Sequence, residues 1–198
     1  MTADSRNRMV RSAAELIARR GATAASFNEV LADSGAPRGS IYHHFPKGKD
    51  ELTAAAMQLV AGYVATRQQA CAATSPREVL ACFIGMWREV VVASGGKAGC
   101  AIAGTAIDAE NDALVAVARA AFHQWIDVLA AQFAATGVSA RETRALATTT
   151  VAALEGALIL CRTERSAAPL DIVARNLARL LPREDDAPPS APKKKARR

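Results

Sequence analysis

Three times along this chain a serine is followed at the third residue by a glutamate, just ahead of an apolar run: Ser26-Phe-Asn-Glu29, Ser75-Pro-Arg-Glu78 and Ser139-Ala-Arg-Glu142. At this spacing the serine oxygen accepts from the free N–H three residues on, and the glutamate reaches back to the serine N–H. Each pair therefore predicts a helix N-terminus. The second has proline at the first helical position, where no N–H partner is needed. Composition points the same way. Of the 198 residues 51% are apolar, much of this alanine, and only 5% are aromatic. Alanine favours helix, and the residues that strands prefer are sparse. The expected fold class is all-α.

Helical periodicity and breakers divide the chain further. Residues 6–20 place Met9, Ala13, Leu16 and Ile17 on one face, with Gly21 as a C-cap. A second helix starts at Ser26 and stops at Gly35, carrying Phe27, Val30 and Leu31 inward. A third covers 38–45 with Ile41, Tyr42 and Phe45, and Pro46 and Gly48 end it. Longer helices are expected over 50–72, from Ser75 to 94, over 111–135 and from Ser139 to 165, with a short segment over 100–107. Pro169 opens a final helix with Leu170, Val173, Leu177 and Leu180 on one side. There is no internal repeat.

Two short helices joined by Gly35-Ala-Pro37, with another helix before them, are a helix-turn-helix. In such a unit the second helix enters the major groove and the first lies across the backbone. Its leading residues must be small or rich in donors, and Arg38, Gly39 and Ser40 meet that need. The neighbouring His43 and His44 point about 100° apart on a helix, which suits neither a shared metal nor a shared substrate. His43 is read as a DNA-facing donor and His44 as a packing contact. No nucleophile–base pair or metal-ligand spacing is found, so no catalytic residue, metal or cofactor is expected.

The segment from Ala13 to Leu52 resembles the DNA-binding domain of the TetR/AcrR family of bacterial regulators. The resemblance lies in Ala14-Glu-Leu-Ile17, Gly21, Ser26-Phe-Asn-Glu-Val30, Gly35, Arg38-Gly-Ser-Ile-Tyr-His-His-Phe45 and Lys49-Asp-Glu-Leu52. One extra residue between Phe45 and Lys49, and the later Gly99-Cys-Ala-Ile-Ala103 and Glu155-Gly156, resemble the LmrA/YxaF-like branch. The resemblance implies about nine helices: an N-terminal three-helix bundle with the helix-turn-helix, and a C-terminal helical ligand-binding and dimerisation domain. It implies a homodimer on double-stranded DNA with a palindromic operator. Carried over by position, Ser26, Arg38, Gly39, Ser40, Tyr42, His43, Lys47 and Lys49 would bind DNA, with Ser26 and Lys49 at phosphates.

The expected domains are 1–49 for DNA binding, 50–181 for ligand and dimer, and a disordered basic tail over 182–198. That tail holds six basic and three acidic residues, so it supplies +3 of the formal net charge of +6. High overall charge is therefore weak evidence for nucleic acid. Candidate ligand-lining residues are Phe83, Met86, Trp87, Cys100, Phe122, Trp125 and Cys161, with the two tryptophans favoured because a buried indole N–H needs a partner. Candidate dimer residues are Leu154, Glu155, Gly156, Leu158, Val173 and Leu177. A mid-helix glycine costs about 1 kcal/mol relative to alanine, which points to close helix–helix approach at Gly156. The four cysteines, 71, 82, 100 and 161, are read as small buried hydrophobes outside any disulfide framework, as suits a reducing cytoplasm.

No run reaches the roughly 18 uninterrupted apolar residues of a membrane span, and the first residues carry no secretory signal. The reading is thus a cytoplasmic transcriptional repressor, released by a small hydrophobic effector. The alternatives are a ligand-independent dimeric DNA-binding protein or a regulator that responds to redox through a cysteine.

Overall fold

The computed structural model describes residues 2–182, and its described residues form nine α-helices and no strand. The expected tail over 182–198 lies, apart from Pro182, outside the described residues.

Helix α1 (Thr2–Arg20) buries Met9, Val10, Ala13, Ala14, Leu16 and Ile17 along one stripe. It ends where the Gly21 N–H donates to the Ile17 carbonyl at 2.9 Å and Gly21 adopts φ 88°. After a single 3-10 turn (Ala22–Ala24), α2 (Phe27–Ser34) begins with the complete capping box anticipated at Ser26 and Glu29. Gly35 closes it in the left-handed region, φ 62°. Helix α3 (Arg38–His44) follows from Pro37. Ile41 and Phe45 drop into one core with α1, α2, Leu52 and Ala56.

Helix α4 (Lys49–Gln69) belongs to both halves of the molecule. Its first turns complete the core of α1–α3, while Met57, Ala61, Val64 and Ala65 enter a second core. That second core is built with α5 (Pro76–Ala93), α6 (Ala101–Asp108), α7 (Asp112–Ala135), α8 (Thr143–Glu164) and α9 (Ala168–Leu177). Phe83, Trp125, Leu129, Phe133 and Leu154 are fully enclosed there. Gln68 and Gln132 tie α4 to α7, the Gln132 side-chain amide donating to the Gln68 carbonyl at 2.8 Å.

The helix starts differ from expectation in instructive ways. Ser75 does accept from the Glu78 N–H, but Glu78 takes the N–H and hydroxyl of Thr74 instead of the Ser75 N–H. At the third box the Ser139 hydroxyl donates to the Glu142 carboxylate, and the Glu142 and Thr143 N–H groups donate to the Ser139 carbonyl, so the side chain caps nothing. Residues 139–142 are a turn, and α8 starts only at Thr143. Leu180 lies beyond the end of α9 and is exposed, not on the buried side.

The cysteine reading needs one correction. Cys100 and Cys161 are buried free thiols, but Cys71 and Cys82 form a disulfide, with Cα atoms 6.3 Å apart. The chain reverses between α4 and α5 over residues 70–75, which brings Cys71 beside the second turn of α5. An eleven-residue separation gives no hint of this, because it depends on how that turn closes.

Candidate nucleic-acid interface

Helix α3 is short, so its seven residues divide cleanly between an anchored and a free side. Ile41 is fully buried and Phe45 caps the helix from within the core. Arg38, Gly39, Tyr42 and His43 face outward, and Tyr42 is 69% exposed. An exposed tyrosine held edge-on against Phe27, ring centroids 5.5 Å apart, is an oriented side chain. It presents a hydroxyl and an apolar ring at the surface. Added at Gly39, a Cβ would meet nothing within 4 Å, so packing inside the subunit does not require glycine there. A glycine in a helix costs about 1 kcal/mol against alanine. Without a side chain, Gly39 leaves room at this surface for another backbone to come close.

The neighbouring candidates divide into free and engaged groups. Ser26 accepts from the Glu29 N–H at 3.3 Å while its hydroxyl donates to the Glu29 carboxylate at 3.0 Å. Ser40 donates its hydroxyl to the Pro37 carbonyl at 2.6 Å, which fixes the turn into α3. Lys47 is exposed, its backbone N–H donating to Glu51. The Lys49 ammonium donates to the Thr23 carbonyl at 3.2 Å. His44 is half-buried, edge-on to both His43 and Phe45. Arg6 stacks over the Phe45 ring at 5.4 Å, a basic neighbour for which the sequence carried no local signal. Over residues 2–49 eight basic side chains stand against four acidic ones, an excess that fits a phosphate-lined partner.

The ligand candidates fall into three places. Met86 and Trp87 line an apolar cavity of about 620 Å³ between α1, α4 and α5. Cys100 lines a separate cavity of about 210 Å³ between α1, α6 and α8, where it meets Glu155 and Arg162. Phe83, Trp125 and Cys161 are enclosed in the core, and Phe122 is half-buried with its ring edge-on to Trp125 at 5.6 Å. The Trp125 indole donates to the Ala61 carbonyl at 3.2 Å.

Burial pushes the Glu155 carboxyl up to about 7, which the neighbouring Cys100 thiol offsets only in part. The Cys100 thiol is itself pushed well up by burial and by that carboxyl, so it is a poor nucleophile. Of the remaining dimer candidates, Leu154, Leu158 and Leu177 are buried within the subunit and Val173 is half-buried. Gly156 faces outward, with open space around it. Among the described residues no three metal-ligating side chains cluster.

Comparison with known proteins gives this geometry its context. Residues 10–56 match the family model described as bacterial regulatory proteins, tetR family. Residues 76–176 match that of the transcriptional regulator LmrA/YxaF-like, C-terminal domain. An uncharacterised HTH-type transcriptional regulator of Mycobacterium tuberculosis is 38% identical over 89% of this chain and 93% of its own length. The HTH-type transcriptional regulator LmrA of Bacillus subtilis is 28% identical, covering 91% of this chain and 98% of LmrA. Among solved structures, a TetR transcriptional regulator from Legionella pneumophila superposes with a TM-score of 0.80 at 21% identity, covering 88% of this chain and 96% of that one. A regulatory protein TetR from Rhodobacter sphaeroides gives the same score at 22% identity, covering 89% and 98%. These relatives are regulators of transcription, not enzymes. The chain belongs to the TetR family of DNA-binding transcriptional regulators, in its LmrA/YxaF-like branch.

Proposed function

We propose that this regulator is a cytoplasmic, homodimeric repressor that reads a palindromic operator with α3 and leaves it when a small hydrophobic ligand binds. In this reading residues 1–49 form the DNA-binding head, 50–181 the sensor and dimer body, and 182–198 a basic tail. The outward face of α3 carries the proposal: Arg38, Gly39, Tyr42 and His43 are presented to solvent by a helix anchored through Ile41 and Phe45. Arg38 and Tyr42 then contact bases and backbone, and Ser26, Ser40, Lys47 and Lys49 lie along the phosphates.

Pairing is assigned to the outer faces of α8 and α9. Ile159 is 58% exposed, Leu160 50% and Ile172 51%, with Ala152 and Gly156 further along the same side of α8. Helices α7 and α8 are long and apolar enough to cross a membrane by composition. Here they pack on each other within the body, and α8 also carries α9. A second copy of α8 and α9 would cover the apolar surface left over, and two-fold pairing is the commonest closed assembly. Ligand would favour a subunit arrangement in which the two α3 helices no longer fit major grooves about 34–36 Å apart.

The test is footprinting of the purified protein on the DNA upstream of its own gene, titrated with salt. Protection of an inverted repeat, with affinity falling steeply as salt rises, is the expected result. Protection without a repeat contradicts the dimeric reading. A redox-responsive second reading is favoured by the Cys71–Cys82 disulfide, which joins the end of α4 to α5. It requires that reduction, or Cys71→Ser with Cys82→Ser, change operator affinity.

A further inference from the structure

The end of α1 is tied to the body by a small set of hydrogen bonds. A helix leaves its last four carbonyls without partners of its own. In α1 one of these, the Ala18 carbonyl, accepts from the Gly99 N–H at 2.9 Å and from the Arg162 guanidinium at 3.3 Å. The same guanidinium nitrogen donates to the Lys97 carbonyl at 3.0 Å. Arg162 of α8 thus latches the DNA-binding head to the loop between α5 and α6. A cation at a helix C-terminus is also favoured by the helix dipole.

Ala18 and Arg162 line the cavity of about 210 Å³, and so does Glu155. Glu155 and Arg162 stand seven residues apart on α8, two turns or about 10.5 Å along one face. Helical side chains lean toward the N-terminus, so Arg162 leans toward Glu155. Glu155 Oε1 is sealed from solvent and has no hydrogen-bond partner. A neutral carboxyl tolerates such a place far better than a carboxylate does, and burial raises this one to about 7. Few charged or titratable groups surround it. Cys100 stands at the start of α6, and α1 brings Arg20, which is paired with Glu29 at 3.4 Å. Asp108 lies at the far end of α6 beside Gly21, and Lys97 is exposed. Of the two arginines on the cavity, Arg162 is the one without a carboxylate partner among the described residues.

We infer that Glu155 and Arg162 form a proton-operated latch on the DNA-binding head. With Glu155 protonated, Arg162 holds the end of α1. Once Glu155 has given its proton to water, the guanidinium turns into the cavity, pairs with the carboxylate and lets go of Ala18. The head is then free to shift against the body, and a head no longer held in place binds DNA less tightly. Rising pH therefore weakens operator binding through this pair.

The test is amide hydrogen exchange of the full-length protein, followed in ¹H–¹⁵N spectra for wild type and Glu155→Gln. Intrinsic exchange rises with pH equally in both, so the ratio of their rates at Gly99 isolates the carboxyl. Opening releases the proton only below the closed form's midpoint near 7. The ratio should therefore rise about tenfold from pH 6 to pH 8 and level off beyond. Gly99 should also exchange faster than Leu129, fully buried in α7, whose amide reports unfolding of the body. A constant ratio, or exchange at Gly99 no faster than at Leu129, overturns the inference. Arg162→Ala should speed exchange at Gly99 and abolish its dependence on Glu155; a dependence that survives this variant overturns the pairing. Operator affinity is measured alongside, and the wild type should lose about tenfold more than Glu155→Gln between pH 6 and pH 8. His43 and His44 are common to both proteins, so equal losses contradict a latch that acts on DNA binding. Exchange needs no operator, so it tests the latch even where no inverted repeat is found.

Discussion

The head and the body of this regulator expose opposite kinds of surface on helices built in the same way. In α3 the apolar Ile41 points in and Arg38, Tyr42 and His43 point out. In α8 the inner side is equally apolar, through Val151, Leu154 and Leu158, but the outer side carries Ile159 and Leu160 as well. A polar, donor-bearing outer face is a finished surface toward water and toward phosphate. An apolar outer face is stable in water only at a cost, and a contact with another protein surface is one way such a face is covered. The difference supports the proposed pairing: the head is finished within one chain, whereas the body leaves an apolar face that a second copy would cover.

The strongest way to break this comparison is to remove the outward groups of the head. Arg38→Ala with Tyr42→Ala should lower operator affinity by at least about three orders of magnitude, because each contact is worth about 1–3 kcal/mol and occurs twice in a dimer. Fluorescence anisotropy on a labelled operator reads this, and thermal unfolding should hardly move, as expected for exposed positions. Undiminished affinity would show that α3 is not the reading helix.

The body has a matching test. Ile159→Asp with Ile172→Asp places charges on the apolar outer face and should give single subunits by sedimentation. Operator affinity should then fall by about a hundredfold, since two linked heads bind far better than one. Continued dimerisation would move the interface elsewhere.

Glu155 sharpens the comparison within the body. Its carboxyl is raised by burial to about 7 from an ordinary 4.5, so the folded state holds the proton more firmly than the unfolded one. Stability from this group is therefore full below about pH 4.5 and is lost as pH rises through 7, a change of about 3 kcal/mol. Denaturant unfolding of the wild type and Glu155→Gln across pH 5–8 should show the wild type losing stability relative to the variant. Parallel pH profiles would mean that the carboxyl is hydrated in solution.

The smallest effect separates two serines that look alike in sequence. Ser26→Ala should cost about 1 kcal/mol by removing a true cap, whereas Ser139→Ala should cost little. Equal losses would restore Ser139 as a cap.

How much of this was legible depended on the range of the interactions. The head could be read because its signals are local: Ser26 with Glu29, Gly35 in the left-handed turn, and Ile41 and Phe45 spaced for one face. The body was legible in its helices but not in their contacts. Met86 and Phe83 share a helical face in sequence, yet one lines a cavity and the other is core, because α1 and α4 decide which side stays open. The Cys71–Cys82 pairing, the Glu155–Cys100 neighbourhood and the latch at Ala18 all join residues through turns or distant helices. Even a capping pattern failed at Ser139, where the Glu142 and Thr143 N–H groups donate to the Ser139 carbonyl and not to its hydroxyl.

The most direct measurement inserts base pairs between the two halves of the footprinted operator and follows affinity. A rigid two-headed reader should bind far more weakly when about 5 base pairs are added, since the half-sites then face opposite sides of the duplex, and should recover in part when about 10 restore the facing. Affinity that does not change with spacing would contradict a dimer reading two half-sites through paired α3 helices.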